Sequence, residues 1–424
     1  MALLKSIGIQ NYRSCLKTSL ELHPKLSVLI GPNGSGKTNI LQAMMLLRKL
    51  AVEEPGWRGF NSSLTLNSRI RATFDDDVNR AVLTALIKTQ AGNSNSEVIH
   101  SSKEHWNVSS KDGRRERLDL PMGFSMTHGH RLLRLNNRRV YRSVTPKGQF
   151  TFFPLPEMTK KNGWAFSTIR EVSKYCVDMK YYGASQFTDP ASCPVSFEIE
   201  REGDDLTPAL RRGHSKLMYD IYSASKPSAG EYAGSKERYQ EFLDIVGVNG
   251  LGLIKSLDFK EVSTSSIEHS VQVGGKIVKR QRRKVLVVPQ FQIGRQTLSP
   301  NQLSEGTFKT LALLFHVIVG KSTAILIEEP EVCVHHGLLA SIIELIKSYS
   351  GQKQMILSTH SDYVLDHVSP ENVFTVSMDK ALGTIARHIP QTMTKKQFSA
   401  LRHYLESEGN LGEFWREGGL GDRL

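Results

Sequence analysis

The sequence predicts an α/β fold, a mixed sheet with flanking helices, and three observations carry that reading. Lys25–Ile30 is a short apolar run entering a glycine-rich loop, and the Asn39–Leu50 segment beyond it repeats apolar residues at helical spacing. Ala324–Ile327 and Gln354–Ser358 are two further apolar runs of strand length. Between them lies a helix-length amphipathic segment, Gly337–Tyr349, and such alternation marks a mostly parallel sheet.

The rest of the chain follows in order. Leu3–Tyr12 reads as an opening strand. Arg69–Phe74 alternates like a strand, whereas Val78–Gln90 is helix-like, and the region to about residue 175 is expected to be an insert of antiparallel strands and loops. Residues 206–248 look helical, and 266–297 look like strands around a Gly274-Gly275 turn. No heptad repeat is sustained, so no long coiled coil is expected. These features divide the chain into an N-terminal lobe (1–66), a β-rich insert (67–180), a short segment (181–205), a helical and β insert (206–298) and a C-terminal lobe with a tail (299–424).

Composition narrows the class. A chain of 424 residues with 39% hydrophobic residues has room for two or three packed units and is not a disordered protein. No run approaches the roughly 18–20 apolar residues that span a bilayer, and no cleavable apolar leader opens the chain, so a cytoplasmic protein without a membrane partner is expected. Four cysteines without a CxxC pair argue against a disulfide framework or a zinc site. The net charge of +13, from 55 basic and 42 acidic residues, points to an acidic partner such as nucleic acid.

The chemistry begins at Gly31-Pro32-Asn33-Gly34-Ser35-Gly36-Lys37-Thr38, which satisfies GxxxxGK[ST] after a strand and before a helix. Glycines let backbone N–H groups close around phosphates, and the helix N-terminus adds partial positive charge. Asn33, Gly34 and Gly36 would line that loop, Lys37 would meet the β and γ phosphates, and Thr38 would offer its hydroxyl to Mg²⁺. This loop is shared by several classes of nucleotide hydrolase, so the class is decided elsewhere. Ala324–Ile327 ends in Glu328-Glu329-Pro330-Glu331. There Glu328 is placed to hold Mg²⁺ and Glu329 to polarise an attacking water. Leu303-Ser304-Glu305-Gly306-Thr307 precedes a helix by its spacing; alone it is an ordinary helix cap. Leu357-Ser358-Thr359-His360-Ser361 closes a strand on a histidine, one of 14 in the chain.

In this order the motifs resemble the RecF/SMC-like branch of the ABC-type ATPases, and particularly the OLD-like and Septu- or PARIS-type ATPases of bacterial phage defence. Residues 1–50, with the entry Tyr12-Arg13-Ser14, and 300–366 carry the resemblance most specifically. It implies an ATP- and Mg²⁺-dependent hydrolase in which Leu303–Thr307 is the signature, His360 senses the γ-phosphate and Arg13 contacts ATP. Tyr181–Phe187 looks like the glutamine loop, giving Gln186 to Mg²⁺; a surface glutamine in a turn is the competing reading. The site would be composite, with Ser304 and Gly306 supplied by a second copy, so a homo-oligomer is implied. LSEGT and Glu328-Glu329 depart from the LSGGQ and Asp-Glu of transport subunits, and the extra methylene of Glu328 leaves its metal geometry open. No TOPRIM-type acidic set follows His360, so an effector nuclease or toxin is expected on a separate chain, with this chain as sensor or scaffold. The alternative is a RecF-like DNA-binding repair ATPase.

Two basic segments are candidate nucleic-acid contacts, one with Arg134, Arg138, Arg139 and Arg142, the other with Lys279, Arg280, Arg282 and Arg283. Solvated loops or an acidic protein partner account for them equally well. His128 and His130 lack a second ligand pair, and Asp75-Asp76-Asp77 reads as a solvated turn ahead of the helix-like segment. Gly409–Gly421 reads either as a docking tail or as a chain end packed on the core.

Overall fold

In the computed structural model the chain opens with β1 (Leu3–Tyr12), β2 (Cys15–Glu21) and the wholly buried β3 (Leu26–Ile30), which runs through the glycine loop into α1 (Lys37–Ala51). Then come β4 (Leu64–Asp75), β5 (Asn79–Ala91), β6 (Val98–Ser110), β7 (Arg115–Phe124), β8 (His130–Leu135), β9 (Arg138–Val144) and β10 (Phe150–Phe152). The long helix α2 (Pro156–Val177) leads to β11 (Lys180–Tyr182), β12 (Phe197–Glu200), α3 (Gly213–Ser225) and α4 (Lys236–Val246). A long hairpin, β13 (Ser256–Val271) and β14 (Ile277–Ile293), is followed by β15 (Gln296–Leu298) and α5 (Glu305–Ile318). The chain finishes with β16 (Ala324–Glu328), α6 (His336–Tyr349), β17 (Gln354–Thr359), α7 (Asp362–Leu365), β18 (Val373–Asp379), β19 (Gly383–His388), α8 (Ile389–Thr392), α9 (Lys395–Ser407) and α10 (Leu411–Arg416).

The residues described are 2–51, 64–91, 98–124, 130–135, 138–144, 150–152, 156–183, 185–200, 213–226, 232, 234–271, 277–332, 334, 336–407 and 409–420. Two units can be distinguished: Met1–Tyr181 with Ser322–Pro330 and Ser350–Leu424, and Tyr182–Lys321 with Glu331–Tyr349.

The first unit is organised by one sheet, whose strands run in the order β10-β9-β8-β7-β6-β5-β4-β1-β2-β19-β18-β3-β17-β16-β11. Its parallel part is β18-β3-β17-β16, with Glu328 opposite Ser358 and Thr359 opposite Ile30. Three carboxyl ends therefore finish level, and in open α/β sheets ligands bind beyond such ends. Every residue of β3, β16 and β17 is buried, as expected for central strands covered on both faces. Helix α1 turns Ile40, Leu41, Met44 and Leu47 into the core, each contributing about 1.5–3 kcal/mol on burial. Gln354 is fully buried in β17, yet its amide is satisfied: Nε2 donates to the carbonyls of Leu4 (2.9 Å) and His23 (3.0 Å), and Oε1 accepts from the Tyr175 hydroxyl (2.6 Å).

Two local expectations are corrected. Val78–Gln90, expected to be helical, is β5, whose Ala81, Leu83, Ala85 and Ile87 are buried at a period of two and which pairs with β4 on one side and β6 on the other. The Asp75-Asp76-Asp77 run is a hairpin turn: Asp76 Oδ1 accepts from the Val78 N–H at 2.8 Å, and the Asp76 N–H donates to Asn79 O at 2.9 Å. The region to residue 175, expected to hold strands and loops, ends in the 22-residue α2 instead, with Ala165, Ile169, Val172 and Cys176 buried at helical spacing. The antiparallel strands of the expected insert continue the main sheet, because β4 pairs with β1.

The C-terminal residues resolve their open choice by packing. Leu411 is buried, the Gly412 N–H donates to Asp366 Oδ1 at 2.8 Å, and Arg416 Nε lies 3.1 Å from Asp362. The second unit holds a smaller sheet, β12-β14-β13 with β15 paired to β14. Its helix α5 is buried almost throughout, from Phe308 to Ile318. Among the described residues no helix is long and apolar enough to cross a membrane.

Candidate active site

The loop between β3 and α1 is shaped by two glycines with positive φ, Gly34 (+81°) and Gly36 (+101°), a region that side-chain-bearing residues seldom adopt. A Cβ on Gly36 would lie 1.9 Å from Thr384 Oγ1 and 2.8 Å from Ser14 Oγ, so the loop is seated against β19 and the β1–β2 turn at a point where only hydrogen fits. Lys37 is buried, and its Nζ donates to the carbonyls of Gly31 (2.8 Å) and Pro32 (3.0 Å), which holds the cation inside the loop.

The acidic strand end comes to the same place. Thr38 follows Lys37 in the first turn of α1, and its hydroxyl donates to Glu328 Oε1. The other carboxylate oxygen of Glu328 accepts from the phenol of Tyr181, on β11 at the sheet edge beside β16. Burial first, and then the bond to Glu328, raises the Tyr181 phenol above its ordinary pKa, so it stays a proton donor. One residue on, Glu329 has φ +46°, a strained value for a side-chain-bearing residue, and its N–H donates to Ser358 O at 2.8 Å. His360 Nδ1 is 3.4 Å from Glu329 Oε1.

A second polar chain supports the loop from the side of Arg13. Arg13 also has positive φ (+50°), and its guanidinium bonds Asn39 Oδ1 at 3.2 Å and the Gln42 side chain. Asn39 Nδ2 donates to Ser14 Oγ (2.7 Å), Ser14 and Thr384 hydroxyls are 2.7 Å apart, and Thr384 Oγ1 donates to Ser35 O (3.1 Å). These residues fit a magnesium-bound nucleoside triphosphate: a backbone cradle, a cation, a hydroxyl and a carboxylate, the hard oxygen donors that Mg²⁺ takes. Asn33 is exposed in the loop.

Two family models match. One described as "AAA ATPase domain" matches residues 3–137, which contain the phosphate loop. The other, described as "AAA domain, putative AbiEii toxin, Type IV TA system", matches residues 237–366, which contain Leu303–Thr307, Glu328, Glu329 and His360. Both matches are to AAA-type ATPase domains, one in each half of the chain. The RecF DNA replication and repair protein of Staphylococcus haemolyticus is 43% identical over 44 residues, 10% of this chain and 12% of that protein. The chromosome partition protein Smc of Methanocaldococcus jannaschii is 33% identical over 75 residues, 18% of this chain and 6% of that protein. The chain thus aligns with only a small part of either relative. The solved SmcHead bound to the C-winged helix domain of ScpA superposes with TM-score 0.45 at 13% identity, over 91% of this chain and 96% of that one.

Arg13, Lys37, Thr38, Glu328, Glu329 and His360 are brought together in the first unit. Gln186, Ser304 and Gly306 belong to the second. Gln186 closes a tight turn, its N–H donating to Gly183 O at 2.9 Å. Ser304 caps α5, its hydroxyl accepting from the Thr307 N–H at 3.2 Å, with Gly306 in the first turn. The sequence marks Tyr181 only as the start of the Tyr181–Phe187 segment and gives Gln42 no role. Gln42 had a faint signal, since it lies four residues after Thr38 on the same helix face. The candidate nucleic-acid residues fall on β8, β9 and β14, and their side chains lie outside the described residues. In backbone register Arg134 stands opposite Arg139.

Proposed function

We propose that this chain binds and hydrolyses Mg-ATP at sites completed by a second copy, and that it is the sensor and scaffold of an anti-phage system whose effector is a separate chain. The observation that carries the enzymatic part is the convergence of Lys37, Thr38, Glu328, Glu329 and His360 beyond the level carboxyl ends of β3, β16 and β17. Mg²⁺, when bound, neutralises phosphate charge and orients the triphosphate. Thr38 and Glu328 are the residues that would hold it, Lys37 and the loop N–H groups would bind phosphate oxygens, Glu329 would take a proton from the attacking water, and His360 would orient Glu329 and meet the γ-phosphate. Gln186 would add to the metal shell, Arg13 to the nucleotide contacts, and Ser304 with Gly306 would present the α5 N-terminus to the triphosphate of the other copy.

The defence role rests on the resemblance of the motifs to phage-defence ATPases, and the second family description, which names a toxin of a toxin–antitoxin system, accords with a chain that works beside another gene product.

Mixing two disabled chains tests the shared site. Lys37→Ala and Ser304→Arg variants are each expected to be inactive, and an equimolar mixture to recover about a quarter of the wild-type ATPase rate, because half the dimers carry one intact site. No recovery would mean that each chain works alone. Co-expression with neighbouring genes, followed by capture in ATP, is expected to retain an effector. Interruption of phage growth by this chain alone, or steeply salt-dependent duplex DNA binding without a partner, would move the reading to a self-sufficient or RecF-like protein.

A further inference from the structure

Glutamate at position 328 poses a mechanical problem. Its carboxylate stands one carbon–carbon bond, about 1.5 Å, further out than an aspartate's and turns about one more torsion. A longer, looser acid holds a small octahedral cation poorly, because Mg²⁺ demands near-ideal geometry. The fold answers with a contact from another strand. Tyr181, delivered on β11, donates its phenol to Glu328 Oε2, while Oε1 takes the Thr38 hydroxyl. Glu328 is buried between them. The Gln42 side chain, close to the phenol, accepts from Arg13.

We infer that Tyr181 is a positioning residue for the metal-holding acid: it occupies one oxygen of Glu328 and fixes the side chain so that the other faces Thr38. Tyr181 thereby compensates for glutamate standing where a shorter acid would serve. This inference rests on the Mg-ATP reading of the site.

The test is a double-mutant cycle read by nucleotide binding rather than by turnover. Affinity for a fluorescent ATP analogue, mant-ATP, is measured with excess Mg²⁺ and with EDTA, and the ratio gives the metal-dependent gain. Tyr181→Phe is expected to lower that gain about 10-fold, the size of effect typical when a partner of a metal-binding group is removed, and to leave the EDTA affinity unchanged. In a Glu328→Asp background the shorter acid does not reach the phenol, so the same change is expected to cost less than about twofold. Equal losses in both backgrounds, or no loss in the wild-type background, would overturn the inference. Failure of the wild-type chain to bind mant-ATP would instead remove the Mg-ATP reading beneath it.

If Tyr181→Phe does not fold, 3-fluorotyrosine at position 181 keeps the phenol and nearly its volume. Its ¹⁹F resonance is expected to shift when Mg²⁺ is added to the ADP-bound wild type and to stay in place in Glu328→Asp. A resonance indifferent to Mg²⁺ in the wild type would sink the proposal.

Discussion

Glu329→Gln is expected to slow ATP hydrolysis by about 10²–10⁴-fold while leaving nucleotide affinity intact. The substitution keeps shape and volume, removes the negative charge and turns one acceptor oxygen into an NH2 donor. Glu329 is held by its backbone: φ is +46°, and its N–H is tied to Ser358 O of β17. Strain of this kind persists only where neighbouring structure enforces it, and here β16 and β17 do so on the strand end that also carries Glu328. Glutamine at this position therefore inherits the same placement, 3.4 Å from His360 Nδ1 in the native chain. Single-turnover hydrolysis and mant-ATP titration separate the two effects. A rate within tenfold of wild type would take the proton-accepting role away from Glu329. Because the variant binds without turnover, mass photometry in ATP is also expected to show it accumulating as an oligomer.

Gly36→Ala is expected to abolish measurable nucleotide binding. The backbone at +101° costs any side-chain-bearing residue about 1–3 kcal/mol, and the new methyl meets the hydroxyls of Thr384 and Ser14 well inside contact distance. Thr384 is fully buried and donates to Ser35 O, so the clash is relieved by moving the phosphate loop. The Gly36 carbonyl accepts the first helical bond of α1, from the Ile40 N–H at 3.0 Å, which carries the disturbance into Thr38. Adding Thr384→Ala removes part of the clash but not the φ penalty, so the double variant is expected to recover binding only partly in isothermal titration. Wild-type affinity in Gly36→Ala would show that the loop tolerates a different path.

The parts of this fold that could be read in advance are those whose signal is local. β3, β16 and β17 are uninterrupted apolar runs because each is covered on both faces, and the residues that follow them are recognisable by type and order. β5 misled because both its faces carry apolar residues: Val82 and Leu86 alternate with the buried Ala81, Leu83, Ala85 and Ile87, and such a run suits either period until its neighbours are known. α2 is masked in the sequence although Ala165, Ile169, Val172 and Cys176 mark one face, since its first turns are polar and follow a stretch of strand-like residues. Tyr181 and Thr384 had no signal of their own. Each matters through a partner more than a hundred residues away, Glu328 and Ser14 respectively, and only the sheet order brings them together.

That distance has a consequence for how the protein is made. Ser14 and Thr384 are 370 positions apart, yet their hydroxyls meet against the phosphate loop. During synthesis Lys37 and Thr38 leave the ribosome well before β19, the strand that backs their loop. Until β19 emerges, a nascent chain therefore carries the phosphate-binding motif without the wall that shapes it. The described shape of the loop is complete only once β19 has closed onto β2 and β18.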